Sequence, residues 1–517
     1  MPPGPPQAAK LTPITDRILL ALILIVTAVL SLTLSANRLL WQDEFLSFYS
    51  DGVPTAREVI DVQLHHPISL DPPTYHLLSH FAMNVIGRSA IALRLPALAG
   101  FLLMELALFA LVRRIAGSRA GVIAALFPLL TASFRYSAEG RPYGWLLGLY
   151  AAAFACWYIA SQSATKRGLA LFGLTISIAL AITSHYFGVL ILVPISIAEL
   201  VRIRQRRRLD IPMTAAMVIG FMAIGLILPF QHGLAPYRTH YYISHVSIRA
   251  VSQGYRELFI RYTTWPLLVQ KIIALAMVVA TLALIVAAWR RYRTRPANEP
   301  ASLWAGLIGL AMLPFFGFLL GRFVTHTMEV RYVIAAVLAF AISLAMVLQR
   351  RLTNRIFYHG LYAAMLLAAI LIGISSILST RAETQTMLAS MQPSPALLAA
   401  IAATPQASIY TQSLADFYLN SYYLADPSLR SRIVLLYDEP REVAWLHHNT
   451  NAVTAVNMQH FTTLRMLPYD TFTAKPHALF LHYDSGWSWA KKDLEANHIA
   501  LTPLGQALRG DLLETSH

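Results

Sequence analysis

The chain of 517 residues is 56% hydrophobic and only 13% charged, with a formal net charge of +15 at neutral pH. A soluble domain carries about 25% charged residues, so a string of soluble domains is excluded. The basic excess sits in short arginine blocks between apolar runs, without the interleaved aromatics of a base-stacking surface, which excludes nucleic acid as a partner.

In chain order, the Pro-rich start "MPPGPPQAAKLTPITDR" (1–17) is expected to be a disordered cytoplasmic tail. Apolar runs near 18–36, 91–112, 119–135, 142–161, 168–184, 186–202, 212–230, 266–289, 302–321, 330–348 and 357–378 predict a polytopic α-helical membrane protein of about 11 spans. The run Ile18 to Ala36 is too long for a signal-peptide core and reads as an uncleaved first span. With the N-terminus inside, the loops at 113–118, 162–167, 203–211, 290–301 and 349–356 are all cytoplasmic and all basic. This predicts a multi-pass protein of the bacterial cytoplasmic membrane whose residues after the last span lie outside.

Between the first two spans, residues 37–90 form a first outer loop. Its segment "PPTYHLLSHFAMNVIG" carries His76, His80 and Asn84 and reads as an interfacial helix, with a second short helix near Ala56–Gln63 before it. The membrane part is taken as 18–378. Residues 379–517 are expected to be a small extracytoplasmic α/β domain. There "ASIYTQS", "RIVLLYD", "NAVTAV" and "HALFLHYD" read as strands, and "LADFYLNSYYL" and "WSWAKKDLEANH" as helices. The single cysteine, Cys156, lies in a predicted span, so no intrachain disulfide forms.

On this topology the unusual polar residues fall on one side. Asp43 and Glu44 follow the first span. His65, His66 and Asp71 lie in the first outer loop, Glu139 and Arg141 in "RYSAEGRPYGW", His185 in "SHYFG", and His326, Glu329, Arg331 and Tyr332 in "THTMEVRY". Each alone reads as an ordinary loop residue; tight helix turns, however, favour Gly, Asn or Ser over "EGR" or "SHY". A carboxylate serves as general base on a hydroxyl, while arginine, or a cation held by histidine and carboxylate, stabilises a departing phosphate. The set therefore points to group transfer from a lipid-linked phosphate. The pattern leaves open whether a divalent cation takes part.

Several stretches carry a resemblance in order along the membrane part: "DE" at Asp43–Glu44, "DPPTYHLL" at Asp71, "GRSAIALRLPALAG" at Gly87, "YSAEGRPYGW" at Tyr136, "SHYFGVL" at Ser184 and "VRYVIAA" at Val330. In these the chain resembles the GT-C superfamily of membrane glycosyltransferases. Within it, the likeness is to bacterial relatives of family 39: protein O-mannosyltransferases and lipid A aminoarabinose or galacturonic acid transferases. The resemblance implies an inverting transfer of a sugar from a polyprenyl-phosphate donor to a lipid, glycan or protein acceptor on the outer side of the membrane. It implies Asp43 as general base and Glu44 as orienting group. Glu139 and Arg141 would stand beside the cavity, with Arg331 on the lipid phosphate and Tyr332 supporting it. His66, Asp71 and His185 are candidates for acceptor or metal contacts. Two departures stand out: Asp71 precedes Pro72–Pro73 where relatives carry histidine, and Phe45 follows "DE" where a small residue is usual. The competing classes are a flippase or transporter for lipid-linked sugars, which would place charge at mid-bilayer, and a polysaccharide polymerase or ligase.

Overall fold

Among the described residues, eight helices are long and apolar enough to cross a membrane, and two sharply bent helix pairs raise the number to ten if each counts as one span. The structure is a computed structural model. It describes residues 13–237, 240, 246–259, 301–404 and 407–516, with a few single positions between 268 and 290. The ten spans coincide with ten of the eleven expected; the eleventh, 266–289, falls mostly outside the described residues.

The first ten longer helices are α1 (Ile14–Asn37), α2 (Gln42–Asp51), α3 (Ala56–His65), α4 (Pro73–Ile86), α5 (Ala90–Ala116), α6 (Ser118–Leu126), α7 (Tyr143–Gln162), α8 (Arg167–Ser184), α9 (Leu192–Arg206) and α10 (Ile211–Met222). The 14-residue α4 is about 21 Å long, well short of the roughly 30 Å of a bilayer core. It is a short helix, as its histidines suggested. The chain divides into two compact units: 1–36, 94–227 and 244–377 in one, and 37–93, 228–243 and 378–517 in the other.

In the first unit, small residues let helix backbones touch. A Cβ on Gly148 of α7 would sit 2.3 Å from the Gly100 carbonyl of α5, and one on Gly100 would sit 2.2 Å from Trp145 Cα. "GWLLG" at Gly144 is thus a small-xxx-small seam of the kind that drives helix association in lipid. The atoms in the way are backbone and cannot rotate aside. Gly148→Ala is therefore expected to cost about 1–3 kcal/mol as overpacking, read as a lower unfolding temperature in detergent. An unchanged melting curve would contradict the seam.

Polar contacts reinforce the same unit. Thr27 Oγ1 of α1 donates to the fully buried Glu105 of α5 at 2.7 Å. At the arginine-rich helix ends, Arg202 donates to Glu199 at 2.6 and 2.8 Å and meets Asp210 at 2.5 Å. Trp157 Nε1 donates to Glu199 at 3.0 Å, and Arg167 also bonds Asp210. Asp210 accepts Met213 N–H at 3.3 Å and so caps α10. One carboxylate thereby ties the starts of α8 and α10 to the end of α9.

Burial raises the Asp210 carboxyl, but hydrogen bonds from Arg167 and Arg202 outweigh it and hold the group at about 2. A depressed folded value means the stabilisation is present above the ordinary carboxylate range and is lost as pH falls towards 2. Asp210→Asn should accordingly lower the unfolding temperature at neutral pH, and its gap from the parent should narrow below about pH 4. A gap constant with pH would show that the ion pairs are not what Asp210 contributes.

The second unit is built around a six-stranded sheet: β1 (Ile409–Thr411), β2 (Ile433–Tyr437), β3 (Met466–Pro468), β4 (His477–His482), β5 (Ala500–Ala507) and β6 (Gly510–Ser516), in the order β3-β2-β1-β4-β6-β5. The first four run parallel; β6 is antiparallel to β4 and β5. One face packs Ile409, Leu435 and Leu481 on Phe417 and Met458, the other Tyr410, Leu436 and Phe480 on Phe472 and Trp489. Three of the four strands expected here are present. "NAVTAV", expected as the fourth, is instead part of a helix, Thr450–Met458. The Glu442 carboxylate accepts the N–H groups of Asn451 and Ala452 at 3.0 and 2.7 Å, capping that helix from outside its own sequence.

The residues of the first outer loop also belong to this unit. Leu40 N donates to Tyr423 Oη at 2.8 Å, and the Phe45 ring lies 5.4 Å from that of Tyr418.

Candidate functional site

Two helices of the first unit are sharply broken. After α6 the chain turns by 78° into the tight helix Ala132–Ala138, and Leu313–Thr325 turns by 54° from Ala301–Ala311. Thr131 makes the first break: its Oγ1 bonds the Pro128 carbonyl at 2.8 Å and caps the new helix at Ser133 N. The chain then delivers Tyr136, Glu139 and Arg141 in quick succession, with Arg141 N donating to the Glu139 carbonyl at 2.8 Å. Glu139 and Arg141 are both buried. Arg135 reaches the Glu139 carboxylate at 3.7 Å.

Around this turn four aromatic rings form a continuous wall. Tyr136 and Tyr143 are 5.5 Å apart, Tyr143 and Tyr332 6.1 Å, and Tyr332 and His185 4.8 Å. The Arg331 guanidinium lies 5.7 Å from the Tyr143 ring centre and 5.9 Å from that of Tyr332, within cation–π range. Glu139 and Arg331 both act electrostatically on the Tyr136 hydroxyl. His185 accepts Phe187 N–H on Nδ1 at 3.0 Å, so its neutral form carries the proton on Nε2. A guanidinium held over tyrosine faces suits a phosphate headgroup: the rings fix its position without neutralising it.

The second unit holds the other predicted residues. Asp43 and Glu44 occupy the first turn of α2, where the helix dipole favours carboxylates. Asp43 is half-buried. Glu44 is fully buried, and its Oε2 accepts Trp41 N–H at 3.4 Å. This is the back-bond of a helix-capping residue, a structural task the sequence reading did not give it. Asp71 is half-buried in the turn leading into α4. His66 stacks on His460, centroids 3.7 Å apart and planes 12° off parallel. Burial and the neighbouring His460 both lower its basicity. Among the described residues no three His, Cys, Asp or Glu side chains gather to hold a metal ion.

The structure therefore brings Glu139, Arg141, His185, Arg331 and Tyr332 together in one unit, and keeps Asp43, Glu44, His66 and Asp71 in the other. Tyr136 and Tyr143 join the first group unforeseen, although "YSAEGRPYGW" brackets the turn with them. Asp51 is the addition to the second. Its Oδ1 meets His76 Nδ1 at 2.6 Å with both side chains shut off from solvent, and its backbone carbonyl meets His80 Nδ1 at 2.9 Å. The two histidines one turn apart on α4 thus face an aspartate.

Residues 70–230 match the family profile described as dolichyl-phosphate-mannose-protein mannosyltransferase. Along nearly the whole chain, the structure superposes on ArnT from Cupriavidus metallidurans. The apo form gives a TM-score of 0.58 at 13% identity, covering 96% of this chain and 97% of that one. The form bound to undecaprenyl phosphate gives 0.57 at 14%, covering 97% and 98%. The fold is GT-C-like. No curated protein matches the sequence.

Proposed function

We propose that the chain is an inverting glycosyltransferase that takes a sugar from a polyprenyl-phosphate donor, on the outer face of the bacterial cytoplasmic membrane, and passes it to an envelope lipid, glycan or protein. The observation that carries this reading is the end-to-end likeness to ArnT, one form of which is bound to undecaprenyl phosphate. Asp43 accepts the proton of the acceptor hydroxyl as its oxygen attacks the anomeric carbon. The bond from that carbon to the phosphate oxygen breaks, and polyprenyl phosphate leaves with the electron pair. Arg331, seated on Tyr143 and Tyr332, balances the growing charge on phosphate. Glu139 and Arg141 shape the turn beside it, and Glu44 holds the helix start on which Asp43 sits.

Charge-assisted hydrogen bonds contribute about 1.5–3 kcal/mol each. Arg331→Ala is thus expected to raise the donor KM by roughly ten- to a hundredfold, with Arg331→Lys between it and the parent. The decisive experiment supplies the purified protein with polyprenyl-phosphate sugars and an envelope extract from cells lacking it, and follows labelled sugar into product. Absence of transfer with every donor would end the reading.

The two broken helices favour one alternative, a flippase for lipid-linked sugars, because discontinuous helices line transport sites. Movement of labelled donor across proteoliposomes without any sugar transfer would select it.

A further inference from the structure

The C-terminal sheet has a feature that glycosyl transfer at the membrane does not use. Its order β3-β2-β1-β4 takes the chain from β1 outward to β2 and β3, then back across to β4 on the other side of β1. At such a reversal the helices leaving the two central strands go to opposite faces. Here Leu414–Tyr423, which follows β1, packs Leu414 and Phe417 on the face of Ile409 and Leu479. Ala490–Ala496, which follows β4, packs Ala490 and Leu494 on the face of Tyr410 and Phe480. In open α/β sheets the crevice outside the carboxyl ends of the strands at such a reversal, here β1 and β4, is the position that takes ligands.

Two buried polar side chains stand at that position. Gln412 and His482 are each one residue beyond the last residues paired with both neighbours, Thr411 and Leu481, so they lie side by side on adjacent strands. Strand alternation puts both on the face of Tyr410 and Phe480, and the Phe480 and His482 rings stack at 6.4 Å. Gln412 is 3% exposed and His482 7%. Gln412 Oε1 accepts Trp489 N–H at 3.3 Å, which anchors one end of the amide. The other end, Nε2, and His482 Nδ1 have no hydrogen-bond partner among the described residues. Each such group left buried and unpaired costs about 1–3 kcal/mol, so the two together call for a hydrogen-bonding partner.

The chemistry of the crevice narrows the ligand. The turn after β1 reads Gln412-Ser413-Leu414-Ala415, with no glycine to let a backbone approach a pyrophosphate, so a dinucleotide does not fit. Ser413 already caps the following helix through Asp416 N, so that terminus is not an anion cradle. Around His482 stand one ammonium, Lys491, and three carboxylates, Asp484, Glu495 and Asp511. That balance repels phosphate and sulfate. Burial, with Lys491 adding to it, lowers the basicity of His482 and keeps it neutral, able to donate or accept. Five residues on in the same loop, Trp487 is half-buried, with its ring 4.4 Å from that of His448. An amide and an imidazole at the strand ends, with an indole on the loop that follows β4, suit hydroxyls arrayed around a ring with an apolar face.

We propose that the carboxyl edge of β1 and β4 is a binding site for a neutral saccharide, whose hydroxyls pair with Gln412 Nε2 and His482 Nδ1 and whose ring lies against Trp487. The site belongs to the C-terminal domain alone and stands or falls apart from the transfer reaction.

Its test is binding rather than activity: full-length protein in nanodiscs, applied to a printed array of neutral, sulfated and phosphorylated oligosaccharides. Retention of neutral glycans is expected. Gln412→Ala and His482→Ala should each weaken it by roughly tenfold or more, the loss of one hydrogen bond to a buried group. Trp487→Ala, in a partly exposed loop where folding is not at stake, should do the same. Thermal unfolding of each variant identifies any that lose structure. The proposal is overturned if no neutral glycan is retained, if charged glycans are preferred, or if a folded Trp487→Ala protein binds like the parent.

Discussion

Asp43→Asn is expected to reduce sugar transfer by about 10²–10⁴-fold while leaving donor binding intact, because the amide fills the same volume but cannot take a proton. The helix should survive the change. An uncharged residue in the first turn of α2 forgoes a dipole interaction of roughly 0.3–1 kcal/mol, too little to unfold the unit. Glu44→Gln provides the contrast. That carboxylate is fully buried and reaches back to Trp41 N–H, so its replacement should appear in the unfolding temperature more than in kcat. The measurement is single-turnover transfer of labelled sugar beside equilibrium binding of the donor lipid. If Asp43→Asn turned over at the parent rate, the proton would be going elsewhere. If Glu44→Gln were the one that lost kcat with an unchanged melting curve, the two adjacent carboxylates would have exchanged roles.

What could be read from the sequence was whatever depends on local composition. Lipid demands long apolar helices and tolerates arginine at their ends, so spans and basic loops appear directly in the residues, and ten of the eleven expected spans coincide with helices or bent helix pairs. The bend at Thr131 did not appear. A hydropathy run is blind to a backbone break, although "FPLLTAS" carries both a proline and the hydroxyl that caps the new direction. "NAVTAV" reads as a strand by alternation and folds as a helix because Glu442, nine and ten residues back, satisfies its first N–H groups. Strand β3 is three residues long, and β5 is largely exposed and interrupted by Pro503 and Gly505, so neither has the apolar alternation that marks a strand. In the site, Glu139, Arg141, His185 and Tyr332 share one unit with Arg331 while Asp43, Glu44, His66 and Asp71 belong to the other, and the neighbours of each follow from packing. Nothing local tells His66 that its partner is His460, or tells His76 that it will meet Asp51.

That last pair carries the second large effect. Asp51 ends α2 and His76 lies on α4, and their contact at 2.6 Å is 0% and 1% exposed. Two ionisable groups taken fully out of water depend on each other. Removing one partner of a buried pair costs about 3–5 kcal/mol, since the survivor keeps its desolvation and loses its compensation. His76→Ala and Asp51→Ala should each lower the unfolding temperature markedly. The double variant should be more stable than the sum of the two losses predicts, because it leaves no orphan. Ser50 Oγ, which donates to Asp51 Oδ1 at 2.7 Å, softens the loss of His76, so Asp51→Ala, which strands the imidazole, is the harsher change. His80 is a built-in control: it bonds the Asp51 backbone carbonyl, which side-chain replacement leaves in place. The consequence reaches Asp43, eight residues or about 12 Å up the same helix, whose position is only as firm as the far end of α2. Single variants that still fold should therefore lose kcat more than donor affinity. If the losses were simply additive, with kcat untouched, the pair would be two separate buried groups rather than the joint that fixes the helix carrying Asp43.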